Sequence, residues 1–150
     1  MNKFIKISTI LFFSMALAIV AFGSEDETTE NEVKQEVSEA LKVIESYAAD
    51  KREESVEKAR EMLDDVDSRI ERLEAHLDRK WDKMTKEARL EWRASQKELR
   101  IRRNELAEWY GGLKHSSDEA WREVKKGFSD AYKKLDQAFE KAKEKFESGK

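Results

Sequence analysis

Apolar residues recur at alternating steps of three and four along two stretches of the chain. The first holds Val56, Ala59, Leu63, Val66, Ile70, Leu73 and Leu77, and the second Trp121, Val124, Phe128, Ala131, Leu135, Ala138 and Ala142. Charged residues fill most of the space between them. This spacing gives a helix an apolar seam along one side, made to lie against another helix. Helical pattern begins upstream at Val33 and runs through Val37, Leu41, Ile44 and Ala48. Ala48-Ala49-Asp50 weakens the stripe without breaking it clearly.

At Leu77 the seam slips. Leu73, Leu77 and Trp81 are separated by two successive steps of four, and Met84 and Ala88 come next. In a continuous coiled coil this is a stutter. In a hairpin it marks a turn, and a turn near Lys80–Lys86 with Thr85 as helix cap is the favoured reading. The next segment carries Trp92, Leu99, Leu106, Trp109 and Leu113. Gly111-Gly112 then reads as a helix end, because glycine takes the left-handed closing conformation. Ser116 and Glu119 have the spacing of a capping box for the last helix, and Asp118 suits its positive end. The pattern predicts three helices, Val33–Arg79, Thr85–Tyr110 and Ser117–Phe146. The expected fold is all-α, an elongated three-helix bundle or antiparallel coiled coil with a long first helix, spanning 33–147. Residues 24–32 (SEDETTENE) have no apolar member and read as a flexible acidic N-terminus, with Thr28 or Thr29 able to cap the first helix.

Composition sharpens this picture. Charged residues make up 42% of 150, and mean hydropathy is −0.88. That balance raises disorder, but the helical periodicity, five glycines and absence of proline argue for helices around a narrow core. Residues 1–23 differ in kind. Lys3 and Lys6 precede a 16-residue apolar run, Ile7 to Phe22, broken only by Ser8, Thr9 and Ser14. Ala21 and Gly23 then precede Ser24 with the small-residue pattern of a cleavage site. This reads as a secretory signal peptide, and the expected location is the periplasm. The alternative is a chain anchored in the inner membrane through residues 7–22. Cleavage would leave 28 basic and 33 acidic residues, a net charge of −5. That argues against nucleic acid as a partner. Without cysteine, neither disulfides nor thiolate metal sites can form.

No catalytic, cofactor or metal constellation is legible, and no small-molecule substrate is expected. His76 and His115 lack the glutamate three residues earlier that di-iron bundles use. Asp64, Asp65 and Asp67 lack the glycine and terminal glutamate of a calcium loop and read as a solvated face. Arg100, Arg102 and Arg103 read as an ion-paired helix surface. The four tryptophans read as seam anchors. Gly127 costs helix propensity, either to admit a neighbouring helix or as a tolerated defect. The widest apolar face belongs to the last helix, and the favoured reading packs it between two neighbours in a three-helix bundle. As the alternative, Trp121, Val124, Phe128, Tyr132, Leu135, Phe139 and Phe146 form a candidate interaction face for protein partners, self-association or a membrane surface. Lysines 125, 126, 133, 134, 141, 143 and 145 share that helix.

The closing run Ser117-Asp118-Glu119-Ala120-Trp121, continued by Val124-Lys125-Lys126-Gly127, is distinctive (Glu-Ala-Trp-x-x-x-Lys-x-Gly). Together with Lys51-Arg52, Asp64-Asp65-Val66-Asp67 and Ile70-Glu71-Arg72-Leu73, it resembles a family of small bacterial coiled-coil proteins associated with stress responses. The resemblance covers about two-thirds of the chain. It implies a helical bundle and a stress or envelope association, and supplies no catalytic residue. The export signal and the extension Val33–Ala49 depart from that family. More distantly, the repeated amphipathic helices are similar to apolipoprotein-type lipid binders. The expected function is a non-enzymatic, exported helical interaction protein of the bacterial envelope, a stress-associated scaffold or chaperone. The alternative is an amphipathic-helix protein of lipid surfaces.

Overall fold

A computed structural model describes residues 26–147, and the regular elements among them are all helical. Four are α-helices: α1 (Asp26–Ser46), α2 (Arg52–Lys80), α3 (Lys86–His115) and α4 (Trp121–Glu147). The expectations for residues 1–23 and for Ser24 lie outside the described residues. The long first helix of the sequence pattern is therefore two helices. Tyr47 and Ala48 leave the helical path, Ala48 is extended at φ −77° and ψ 173°, and Ala49–Lys51 form one 3₁₀ turn. Neither glycine nor proline signals this reversal. Its cause is tertiary: folding back buries Leu41 and Ile44 and brings the last carbonyls of α1 to side chains of α4. At the other end α1 begins at Asp26 instead of Val33. The acidic stretch thus lies largely in helix.

α2 keeps the predicted seam. Ala59, Leu63, Val66, Ile70, Leu73 and Leu77 are all buried, with Met62 beside them. Glu53 and Glu54 stand in its first turn and Arg79 and Lys80 in its last, complementing the helix dipole. The slip after Leu77 is a turn. Trp81–Lys83 form a 3₁₀ turn, and the Thr85 hydroxyl accepts from Ala88 N–H at 3.1 Å, capping α3. Arg89 and Arg93 stack over the Trp81 ring at 5.2 and 5.1 Å, and Arg89 Nε also donates to the Trp81 carbonyl. Thr85→Ala should cost about 1 kcal/mol, the usual value of an N-cap. A chemical denaturation midpoint lowered at unchanged helix content checks this.

The double glycine does not end α3, which continues through Gly111 and Gly112 to His115. Neither glycine takes the left-handed conformation. Gly112 instead faces α4 closely: a Cβ there would lie 3.0 Å from Val124 Cγ1. Packing against α4 outweighs the low helix propensity. The predicted capping box is displaced as well. Ser117, not Ser116, accepts from Ala120 N–H, at 3.3 Å, and α4 begins at Trp121. Ser116 uses its carbonyl to accept from Arg52, while Asp118 pairs with the same guanidinium at 2.8 Å.

Cross-helix pairs fix the topology. Asp67–Arg103 and Glu74–Arg100 make α2 and α3 antiparallel. Trp109 against Gly127 and Trp92 against Phe146 do the same for α3 and α4. Arg52–Asp118 and Arg69–Asp136 make α2 and α4 parallel. Glu45 beside Ser129, with Val37 across a groove from Asp136, sets α1 antiparallel to α4. The chain runs up, down, up and down, a four-helix arrangement in place of three. α3 and α4 share the largest interface, and α1 lies along α2 and α4. Ile44, Leu77, Trp92, Leu99, Leu106, Leu113, Phe128, Tyr132 and Leu135 are fully buried between them.

Candidate functional site

Helix α4 carries an apolar face and, beside it, a polar seam. Of the candidate interaction face, Trp121, Phe128, Tyr132 and Leu135 are buried, and Val124, Phe139 and Phe146 are half-buried. In this state the bundle covers the face. Val124 meets Gly112, and Phe146 meets Trp92 edge-on, with ring centroids 5.5 Å apart.

The polar seam joins α4 to the end of α1. A helix leaves its last carbonyls without helical partners, and the last turn of α1 carries no cation to complement its negative end. α4 supplies both needs. Trp121 Nε1 donates to the Tyr47 carbonyl at 3.1 Å, and Lys125 Nζ donates to the Glu45 carbonyl at 2.7 Å and also to that of Tyr47. Ser129 Oγ donates to the Glu45 carboxylate, whose same oxygen lies 3.4 Å from Lys133 Nζ. The Trp121 ring also receives two cations, Arg52 at 5.0 Å and Lys125 at 5.9 Å from its centroid.

Lys125 is the buried lysine of this group. Burial pushes its pKa down, and the Glu45 carboxylate offsets part of that effect. Glu45 is held below its ordinary value, first by the Ser129 hydrogen bond, with Lys133 also favouring the charge. A carboxylate whose folded pKa is lowered stabilises the fold above its unperturbed value, here 4.5, and loses that contribution as the pH falls through the folded value. Protection of the amides along the end of α1, corrected for intrinsic exchange at each pH, should therefore fall on acidification below pH 4.5, and Glu45→Gln should lower it already at neutral pH. Equal protection in both proteins at both pH values would exclude a contribution from this carboxylate.

A second polar cluster ties α2 to α4. The Arg69 side chain is only 12% exposed and donates to Asp136 at 2.9 Å, to Glu140 at 3.4 Å and to the Tyr132 hydroxyl at 3.4 Å. Its guanidinium also lies 4.4 Å from the Phe139 ring centroid. Burial opposes the Arg69 charge, but hydrogen bonding to Asp136 and the nearby acidic groups hold its pKa above the usual value. Burial pushes the Tyr132 phenol well up. Val37, Ser38, Leu41 and Lys133 complete a groove of about 290 Å³ beside this cluster.

The acidic trio does not share one solvated face. Asp64 is exposed, Asp67 takes a two-pronged bond from Arg103 at 2.7 and 2.5 Å, and one oxygen of Asp65 is buried without a protein partner. Arg100 and Arg102 are ion-paired, to Glu74 and to Glu98 and Glu105. Trp92 and Trp121 are core, Trp81 is half-buried, and Trp109 is 37% exposed. Gly127 answers Trp109: a Cβ there would meet the indole carbons at 2.5 Å. Trp121, Lys125 and Gly127, the distinctive members of the closing motif, thus each make a contact between helices.

Among the described residues no group of three or more His, Cys, Asp or Glu is placed to hold a metal ion. None of their helices is long and apolar enough to cross a membrane. Sequence reasoning singled out neither Glu45 nor Arg69. Nothing local distinguishes them, since each is one charge among many on an amphipathic helix. Compared with protein-family models, curated proteins and solved structures, the chain matches none.

Proposed function

We propose that this chain is a non-enzymatic interaction protein of the bacterial envelope, exported, made under stress, and acting as a scaffold or as a chaperone-like shield for apolar surfaces. The observation that carries the reading is the cover on α4. Its broad apolar face is closed in part by α1, and α1 is held there by a short polar seam at its last turn. Such a cover can be traded for a client's apolar segment, because the exchange replaces one apolar contact by another while the seam's polar groups return to water. The resemblance to stress-associated coiled-coil proteins supplies the context, and the signal-like leader supplies the compartment.

The test uses the chain from Ser24 onward with a reporter enzyme that aggregates on mild heating. It should suppress light scattering in proportion to its concentration. Lys125→Met, which removes the cation from the end of α1 but keeps an apolar stem on α4, should suppress it at lower concentration. Scattering unaffected by either protein would overturn the chaperone reading. Flotation with neutral and anionic liposomes decides the lipid-surface alternative: binding at physiological salt with a gain in helicity would replace the protein-partner reading. Amino-terminal sequencing of the protein recovered from the envelope should begin at Ser24, and an intact Met1 in the membrane fraction would make it an anchored protein.

A further inference from the structure

The reversal between α1 and α2 is built from residues that do not require it. Tyr47-Ala48-Ala49-Asp50-Lys51 contains two alanines, the best helix formers, and neither glycine nor proline. No side chain caps the 3₁₀ turn or the start of α2. Lys51 N–H bonds the Ala48 carbonyl at 3.0 Å, whereas in a straight helix it would reach Tyr47. The Tyr47 carbonyl is free for Trp121 and Lys125 only because the helix stops. Contacts with α4, and not the local sequence, hold the break.

The seams on either side also agree in phase. Ile44 and Ser55, both fully buried, would project within about 20° of each other in one continuous helix. The segment can therefore straighten into a single amphipathic helix across residues 26–80. Straightening swings α1 off its own α4. It uncovers the donors of Trp121, Lys125 and Ser129 together with the apolar ring of Tyr132. The complement of that surface is the end of α1 itself: the Glu45 carboxylate, and Leu41 and Ile44 one turn apart.

We infer that this surface binds α1 of a second copy, so that two chains exchange their first helices and form a closed, two-fold dimer. Exchange restores in trans the bonds of the Glu45 carboxylate to Ser129 and Lys133 and the apolar cover of Leu41 and Ile44, while the Glu45 and Tyr47 carbonyls take the N–H groups of Ala49 and Lys51 in the straightened helix. The hinge gains helix in the process. The association entropy and the loss of the Trp121 and Lys125 bonds to the α1 carbonyls oppose it, and the exchanged form rises with concentration. This goes beyond the proposed client binding: the occupant is the chain itself, and the contact is the α1–α4 seam.

The test exploits the Glu45–Lys133 pair, 3.4 Å apart. Unlabelled and ¹⁵N-labelled chains, each beginning at Ser24, are mixed, concentrated and warmed to equilibrate. The sample is treated with a zero-length carbodiimide and separated by size, and the Glu45–Lys133 cross-linked peptides are weighed by mass spectrometry. The dimer fraction should contain pairs with one label on each peptide, and the monomer fraction only pairs of like label. A dimer carrying only like-label pairs would overturn exchange, as would a chain that stays monomeric at every concentration. Ala48→Pro tests the hinge: φ −77° accommodates proline, which cannot sit inside a straightened helix. It should remove the dimer at unchanged monomer helicity. Ala48→Gly, which perturbs folding less, should lower the dimer fraction in the same direction. Mixed-label dimer at wild-type abundance in both variants would refute the hinge.

Discussion

Phe128→Ala is expected to lower the unfolding free energy by about 3–5 kcal/mol, the range for truncating a large ring in a closed core. Phe128 is fully buried, midway along α4, and belongs to the same apolar cluster as Leu106, Leu113, Tyr132 and Leu135. A cavity there has little freedom to collapse, since α4 is pinned on both sides by polar contacts from Arg69 and Lys125. Urea denaturation monitored by far-ultraviolet circular dichroism measures the loss. Phe139→Ala on the flank is the companion. Its ring is half-buried, so the loss should be clearly smaller. A Phe128→Ala protein as stable as the parent would mean that α4 presents this face to solvent or to a partner, and the four-helix packing would be wrong.

Gly127→Ala should lose about 1–2 kcal/mol, against the trend for glycine inside a helix. Propensity alone favours alanine by roughly 1 kcal/mol. The added methyl, however, would stand 2.5 Å from Cε3 and Cζ3 of Trp109. The ring must swing outward, giving up its contact with α4, and overpacking of this kind costs about 1–3 kcal/mol. With the indole removed, the sign reverses: in a Trp109→Ala background, Gly127→Ala should stabilise by up to about 1 kcal/mol. A double-mutant cycle from denaturation midpoints isolates this coupling of about 2–3 kcal/mol. Additive effects would show that the indole does not rest on Gly127. The same contact accounts for a tryptophan that is more than one-third exposed on a charged helix.

Sequence alone determined the all-α class and the seams of α2 and α4, where apolar side chains at helical spacing have one common route out of water. It also placed the cap at Thr85, because a hydroxyl before a helical run competes for the same N–H wherever the helix goes. The contact face on α4 was legible from its spacing, as was its packing between neighbouring helices, but not that α1 supplies part of the cover. Only the tertiary structure decided the break after Ser46, the passage of α3 through Gly111 and Gly112, and the shift of the α4 cap from Ser116 to Ser117. At each of these points local preference is weak, and contact with a neighbouring helix outweighs it. Tyr47 and Ala48 could be helical, but Trp121 and Lys125 take the carbonyl that the helix would have used. Gly112 could end α3, but its missing Cβ lets Val124 approach. Glu45 and Arg69 became visible only when Ser129, Lys133, Asp136 and Glu140 stood beside them, because a charge on an amphipathic helix takes its role from the helix it faces.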